Sequence, residues 1–266
     1  MWFMAKKKSL FILLSILILN LPIGNALDEL EDDDTKTGDS LNELEEDIAF
    51  MKSKNDDSFH DLEEMKAVPF DYYQLVLQWQ PATCSNVICL RPSSSRFSIN
   101  GLWAASYSRP IGRCIGSKFL QPNITSIRKE LDEDWPSLII SSNPAVWSEE
   151  WNTHGTCFET PTFKIADYFR LALYLFWRSD VEEALNKSGL QPINGRLYQT
   201  SDIETALTKS FNGKPALRCT LNLKYILQSQ LAEVVLCFDK CLRNIDCPSK
   251  YSAATGCPSR ILWLKT

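Results

Sequence analysis

The chain has 266 residues, of which 44% are hydrophobic, 11% aromatic and 23% charged, and its formal net charge is −5. This composition is typical of a globular protein with a sizeable core. It excludes a wholly disordered, a collagen-like and a multi-spanning membrane protein. The charge is unevenly distributed, and the length allows one domain with flanking segments.

Residues 1–26 have the pattern of a secretory signal peptide. A basic start, Lys6 to Lys8, precedes an apolar run from Leu10 to Ile23, and residues 24–26 are small enough for signal peptidase. The alternative is a membrane anchor, which needs about 18 or more uninterrupted apolar residues. We therefore expect cleavage, entry into the secretory pathway and no membrane attachment of the mature form. An extracellular and a vacuolar destination both remain open.

Residues 27–66 form an acidic segment, with 16 Asp or Glu against four Lys and a net charge of −12. Such a segment repels itself and is expected to be a disordered extension or pro-segment. Leu41, Leu44, Ile48 and Met51 recur at helical spacing, which allows a transient helix. A solubilising tail is the favoured interpretation. The alternative is an acidic mimic that masks a basic face of the same chain.

Residues 67–266 form one domain of ordinary size, with a net charge of +4 and all nine cysteines. Behind a secretion signal, most cysteines are expected in disulfides, and an odd number leaves at least one without an intramolecular partner. With a single histidine in this domain and no two close-spaced cysteine knuckles to form a zinc site, we expect no metal and no other cofactor. Glycosylation sequons begin at Asn123 and Asn186, which must be exposed if they are used.

Hydrophobic periodicity predicts five elements in chain order. Alternation indicates strands over Tyr73–Trp79 and Arg96–Trp103, and apolar residues at helical spacing indicate a helix over 164–178. A second helix is predicted from Asp202, as N-cap, to Phe211. The short apolar run Glu233–Phe238 indicates a central strand. Without a repeating strand–helix–strand order, the predicted class is α+β.

One window, residues 147–157, combines Glu149 and Glu150 with His154, the only histidine of the domain. If the window is helical, Glu150 and His154 are neighbours on one face. A carboxylate beside an imidazole raises the pKa of the imidazole and orients it for proton transfer near neutral pH. The alternative is a structural histidine beside a disulfide at Cys157. No nucleophilic serine motif, glycine-rich phosphate loop or HExxH helix competes with this window.

The same window resembles the second conserved segment of the ribonuclease T2 family. Phe97–Trp103 (FSINGLW) is similar to the first segment, and Gln74–Trp79 is similar to the opening strand of the plant S-RNase branch. The likeness extends from about residue 70 to the C-terminus. It implies a central antiparallel sheet packed with helices and cross-linked by disulfides. The implied pairs are Cys84–Cys89, Cys114–Cys157, Cys219–Cys257 and Cys237–Cys247. Cys241 then has no partner, so a disulfide-linked dimer is an alternative to the expected monomer.

In this family, RNA is cut without metal through a 2′,3′-cyclic phosphate, with one histidine of each segment as acid and base. The resemblance implies that Glu150 and His154 are retained from that set. Asn100 replaces the histidine of the first segment, Glu149 replaces a phosphate-holding histidine, and Thr153 replaces a lysine. Trp103 corresponds to a tryptophan that stacks on a base, and a packed core tryptophan is the alternative.

These replacements predict that catalysis is lost or severely impaired. An amide exchanges no proton at ordinary pH, and general acid–base help is typically worth about 10²–10⁴-fold in rate. The leading hypothesis is a secreted, non-catalytic storage or defence protein of a plant. A weakly active endoribonuclease, with Glu149 protonated by burial as a substitute acid, is the second. The third is a pistil recognition or RNA-binding protein. A charge of only +4 predicts that RNA is at most a weak partner.

Overall fold

The computed structural model describes residues 70–225, 228–248 and 256–265. The predicted signal peptide, the acidic segment and their boundary with the domain near residue 67 lie outside the described residues. No helix in the described ranges is long and apolar enough to cross a membrane.

A seven-stranded sheet forms the centre of the fold, in the order β2-β1-β5-β7-β3, with β4 and β6 also paired to β5. All pairings are antiparallel except the short parallel contact of β5 with β7. The α+β class and the central antiparallel sheet are confirmed. The strands are β1 (Tyr72–Trp79), β2 (Phe97–Ala105), β3 (Leu197–Gln199), β4 (Ala216–Asn222), β5 (Gln228–Phe238), β6 (Asn244–Ile245) and β7 (Arg260–Leu262).

The helices pack on the sheet around a core rich in aromatic side chains. Trp79, Trp147, Trp151 and Trp263 are almost fully buried. The helices are α1 (Gln80–Thr83), α2 (Arg128–Asp134), α3 (Asn143–Thr153), α4 (Ile165–Trp177), α5 (Val181–Lys187) and α6 (Thr200–Phe211). Short 3-10 turns cover Gln121–Ile127, Gly155–Cys157 and Leu223–Tyr225.

Specific hydrogen bonds attach the helices and the C-terminal strand to the sheet. In α4, the buried hydroxyl of Tyr168 donates to the backbone oxygen of Leu102 on β2 at 3.0 Å. The Trp79 indole donates to the backbone oxygen of Leu264 at 2.7 Å, across 185 residues of sequence. Buried polar atoms must find such partners, and each bond therefore specifies one packing arrangement.

The five predicted elements are all present, with two differences. Strand β5 begins at Gln228 rather than at Glu233, because its polar first half pairs with β4. The prediction of Asp202 as N-cap is wrong, since α6 begins at Thr200 after the N-cap Gln199. Gln199 is the last residue of β3 and is paired in the sheet, so the backbone turns helical directly after it. Asp202 lies in the first turn, where its carboxylate interacts favourably with the helix dipole.

Four disulfides cross-link the domain, with the same pairing that the resemblance implies. They are Cys84–Cys89, Cys114–Cys157, Cys219–Cys257 and Cys237–Cys247. Cys241 is free and exposed. The 114–157 bond attaches the loop before α2 to the turn after α3, and so holds the loop against the second conserved segment.

We expect the Cys114–Cys157 and Cys84–Cys89 disulfides to differ in their contribution to stability because they close loops of different length. Cys114 and Cys157 are 43 residues apart, whereas Cys84 and Cys89 are five apart. On the chain-entropy estimate, replacing both cysteines by alanine costs about 4 kcal/mol for the first pair and about 2 kcal/mol for the second. Urea unfolding of the two double variants checks this order. Equal losses would contradict it.

Candidate active site

Asn100 lies at a bulge in strand β2. Val76 of β1 pairs with Gly101 and Leu77 pairs with Ile99, so Asn100 is the extra residue between them. Bulges re-aim side chains and occur next to active sites. Here the Asn100 side chain reaches across β1, and its Nδ2 donates to Oε1 of Glu233 on β5 at 2.9 Å.

Glu233 also binds Arg218, its partner in the β4–β5 ladder. Nη1 of Arg218 donates to Oε2 of Glu233 at 2.9 Å, and both side chains are largely buried. The carboxylate thus accepts one bond from an amide and one from a guanidinium. Glu233 and Arg218 were not identified as site residues from the sequence, since neither belongs to the two segments that resemble the family. Glu233 is the first residue of a predicted strand, whereas Arg218 lies on β4, which was not predicted.

Helix α3 carries the second segment and ends just before the histidine. Its N-cap Ser142 accepts a bond from the Ala145 N–H, and its last residue is Thr153. His154 is the C-cap, with non-helical backbone angles, and its N–H donates to the Glu150 oxygen at 2.8 Å. The window is therefore helical at both glutamates, whereas the histidine lies one residue beyond the helix.

Trp103 joins the two segments. Its Nε1 donates to Oε2 of Glu150 at 3.2 Å, and its ring is stacked on the His154 imidazole with centroids 4.8 Å apart and planes at 21°. The guanidinium of Arg218 lies 5.1 Å from the same ring. Trp103 is half-buried, so it is neither a fully packed core tryptophan nor an unoccupied platform for a base. A base that stacked on it would have to replace one of these contacts.

Gly101 makes this arrangement sterically feasible. A Cβ at this position would lie 2.3 Å from Nε1 of Trp103 and 2.5 Å from Oε2 of Glu150. Either contact is far inside van der Waals distance. The glycine of the FSINGLW motif therefore lets the indole and the carboxylate meet over the backbone of β2.

Burial sets the protonation of the two retained residues. Desolvation raises the pKa of Glu150 to about 7, helped by the nearby charges of Glu149 and Glu233 and opposed by the Trp103 hydrogen bond. Desolvation lowers the pKa of His154 to about 4, with Arg113 lowering it further and Glu149 opposing. The expectation that a carboxylate raises the pKa of this histidine is wrong. Burial outweighs the charge, and Glu150 bonds the indole instead of the imidazole.

Glu149 and Thr153 form a separate, exposed group with Arg113. Oε1 of Glu149 accepts from Thr153 Oγ1 at 3.0 Å and from Arg113 Nη2 at 3.3 Å. The Glu149 side chain is 65% exposed, whereas the hypothesis of a substitute acid at this position required a buried one. Arg113 was not identified from the sequence. The Cys114–Cys157 disulfide and a bond from the Arg113 N–H to the Thr153 oxygen place it here.

The remaining predicted positions lie away from this site. Asn123, in a 3-10 turn, and Asn186, in α5, are both exposed, as glycosylated sequons must be. Their occupancy stays a prediction. In the described part of the chain, no cluster of three or more His, Cys, Asp or Glu side chains could hold a metal ion.

Comparison with known proteins places this geometry in a family. The model of the ribonuclease T2 family matches residues 70–247. The chain belongs to the ribonuclease T2 family. It is 33% identical over 190 residues to ribonuclease DdI of Dictyostelium discoideum, covering 70% of this chain and 82% of that protein. It is 35% identical over 173 residues to ribonuclease MC of Momordica charantia, covering 64% and 89%.

Solved structures of this ribonuclease family have the same fold. Ribonuclease MC1 from bitter gourd seeds matches with a TM-score of 0.65 and 32% identity, over 73% of this chain and all of that one. RNase NT, solved in complex with 5′-AMP, matches with a TM-score of 0.66 and 28% identity, over 74% and 100%. An RNase-related protein from Calystegia sepium matches with a TM-score of 0.63 and 27% identity, over 74% and 98%.

The raised pKa of Glu150 predicts a pH-dependent effect of Glu150→Gln. The carboxyl is protonated in the folded state up to about pH 7 and ionises from pH 4.5 in the unfolded state. Its contribution to stability is therefore full below pH 4.5 and lost as the pH rises to 7. Relative to the natural protein, the glutamine variant should gain about 3 kcal/mol of unfolding free energy between pH 4.5 and 7.5.

Urea unfolding across this pH range tests the effect. Glu183→Gln, which removes an exposed carboxylate on α5, is the matched control. A stability difference for Glu150→Gln that stays constant from pH 4.5 to 7.5 would show that Glu150 ionises normally in the folded protein.

Proposed function

We propose that this ribonuclease T2 family member has lost, or almost lost, endoribonuclease activity. The observation that carries the proposal concerns Asn100, which stands where the resemblance implies the acid–base histidine of the first segment. Its side-chain amide donates a hydrogen bond to Glu233. An amide neither removes the proton of a 2′-hydroxyl nor protonates a leaving oxygen. The neighbouring Glu233 carboxylate is held in an ion pair with Arg218 at 2.9 Å.

The second segment supports the same conclusion through charge. The family holds the phosphate with a histidine and a lysine, and here those positions carry Glu149 and Thr153. Arg113, a cation beside them, is paired with Glu149. A phosphate that approached this group would meet a carboxylate, and the developing negative charge of the transition state would lack a free cation.

We infer a role in storage or defence for a secreted, monomeric protein. Its domains would be a signal peptide over 1–26, an acidic segment over 27–66 and the ribonuclease-like domain over 67–266. Four disulfides, two exposed sequons and an intact core are consistent with selection for stability without catalysis. RNA would be at most a weak ligand, since two of the arginines in the site are paired with carboxylates. Such a role predicts that the protein is highly abundant in one tissue.

A weak endoribonuclease is the second candidate, and the pKa values favour a specific form of it. Glu150, protonated up to about pH 7, could serve as the acid, and His154, neutral above about pH 4, as the base. Both contact Trp103 and are therefore near each other. In this mechanism Glu150, and not the exposed Glu149, is the substitute acid.

Restoring the family residues should restore cleavage. We expect the natural mature protein to leave yeast RNA and a dinucleotide intact. Asn100→His, Glu149→His and Thr153→Lys together should raise the rate by at least about 10³-fold, because they return an acid–base group and the cationic phosphate contacts. A cyclic-phosphate product assay measures both proteins.

The matched control carries Asn100→Gln, Glu149→Gln and Thr153→Ser, which change the same positions without an imidazole or an ammonium. Adding His154→Ala to the restored variant should abolish its cleavage. A natural protein as fast as the restored one would refute the proposed loss of activity.

Any residual cleavage by the natural protein should follow a bell-shaped pH profile between about pH 4 and pH 7. The lower limb reports protonation of His154, and the upper limb reports ionisation of Glu150. Glu150→Gln should then abolish cleavage, whereas Glu149→Gln should leave it. An optimum above pH 7 would exclude this acid–base pair.

A further inference from the structure

The surface of the domain contains a group of exposed apolar side chains that are not part of the candidate site. They lie on three loops: the Cys84–Cys89 loop with its next residue, the loop before α3, and the end of β4. Each is between 44% and 88% exposed. We call them the apolar patch: Val87, Ile88, Leu90, Ile139, Ile140, Leu221 and Leu223.

Hydrogen bonds join the three loops into one surface. The Leu90 N–H donates to the Leu138 oxygen at 2.9 Å, which connects the first loop to the second. The Asn86 amide donates to the Leu221 oxygen and accepts from the Leu223 N–H, which connects the first loop to the third. Single apolar residues are normal on a protein surface, but seven exposed ones on segments that are hydrogen-bonded to one another are typical of an interaction site.

The charges around the patch restrict the chemistry of its partner. Residues 84–91, 136–142 and 219–225 include Arg91 and Lys224 and no Asp or Glu. A complementary partner would present apolar side chains interspersed with carboxylates. The acidic segment of the same chain has this composition.

We propose that the acidic segment docks on the apolar patch of its own domain through Leu41, Leu44, Ile48 and Met51. These four residues recur at intervals of three or four, so in a helical conformation they would form one apolar stripe. Four carboxylates lie between them in the sequence, Glu43, Glu45, Glu46 and Asp47. An amphipathic helix that lays its apolar side on an apolar surface is a common mode of recognition.

The connecting chain is long enough for this contact. The described domain begins at Phe70, next to the start of β1, and the Cys84–Cys89 loop follows the other end of that strand and α1. The eight residues of β1 span about 27 Å. The chain from Met51 to Phe70 has an average coil length of about 24 Å and an extended reach of about 65 Å. A tether matched to the span gives an effective concentration in the millimolar range.

This docking would give the acidic segment a different function from the two considered above, a solubilising tail and an acidic mimic that masks a basic face. The segment would act neither as a simple solubilising tail nor as a mask for basic residues alone. It would cover apolar surface during transit through the secretory pathway, and its proteolytic removal would expose the patch. The contact is independent of ribonuclease activity, because the patch shares no residue with the candidate active site.

Hydrogen exchange of the mature chain 27–266 tests the proposal. Leu41→Ser with Ile48→Ser should increase exchange several-fold in residues 84–91 and 219–225. Leu30→Ser with Leu62→Ser, which alters apolar residues outside the stripe, should leave exchange there as in the natural chain. Conversely, Ile88→Ser with Leu223→Ser should increase exchange in residues 41–51. Ile115→Ser with Leu120→Ser, also exposed but outside the patch, should not.

Both reciprocal effects are required. If either stripe or patch variant behaves like its control, the segment does not dock on the patch. Sedimentation of the same proteins distinguishes a second copy as the occupant: a natural dimer that becomes monomeric in Ile88→Ser with Leu223→Ser would also overturn the proposal. Since these substitutions lie at exposed positions or outside the described domain, all variants should keep the far-ultraviolet circular dichroism of the natural chain.

Discussion

The candidate site depends on the pairing of strand β1 with β2 on one side and β5 on the other. This pairing places the bulge at Asn100 within reach of Glu233, although a whole strand lies between them. The inward residues Leu75, Leu77 and Ile99 are fully buried, so a shift in register would expose core side chains. The pairing and packing of the strands therefore place Asn100 beside Glu233, whether or not these residues take part in catalysis.

This separation allows the fold to persist if the chemistry of the site changes. Fold and function rest on different residues, so a site can change on an unchanged scaffold. Asn100 still makes a hydrogen bond in its half-buried position, and Glu149 is satisfied by Thr153 and Arg113. None of the replacements leaves an unpaired buried charge, which is the kind of change that would have been strongly destabilising.

Burial, more than neighbouring charge, determines the electrostatics at the centre of the site. Glu150 and His154 both contact Trp103, and each is displaced toward its neutral form. Nδ1 of His154 is buried and has no hydrogen-bond partner among the described residues, so no carboxylate accepts a hydrogen bond from this nitrogen. Here the two arginines are occupied by carboxylates, and the site is close to neutral.

Much of this could be predicted from the sequence alone because it depends on local patterns. Alternating and helical periodicity located five elements. The resemblance of FSINGLW and of the Trp147–Cys157 window to two family segments indicated the family and implied the disulfide pairs and the replaced positions. The N-cap of α6 was misplaced because pairing of β3 in the sheet, a long-range contact, decides where that helix begins. Only the tertiary structure showed that Glu233, Arg218 and Arg113 complete the site, since they are brought in by strand pairing and a disulfide. It also showed that the pKa of His154 is lowered and not raised, and that Glu150 is buried against Trp103 whereas Glu149 is exposed beside Thr153 and Arg113. Sequence spacing indicates which residues can be neighbours on one helix, but burial is a property of the whole fold, and burial decides which of those residues carries a charge.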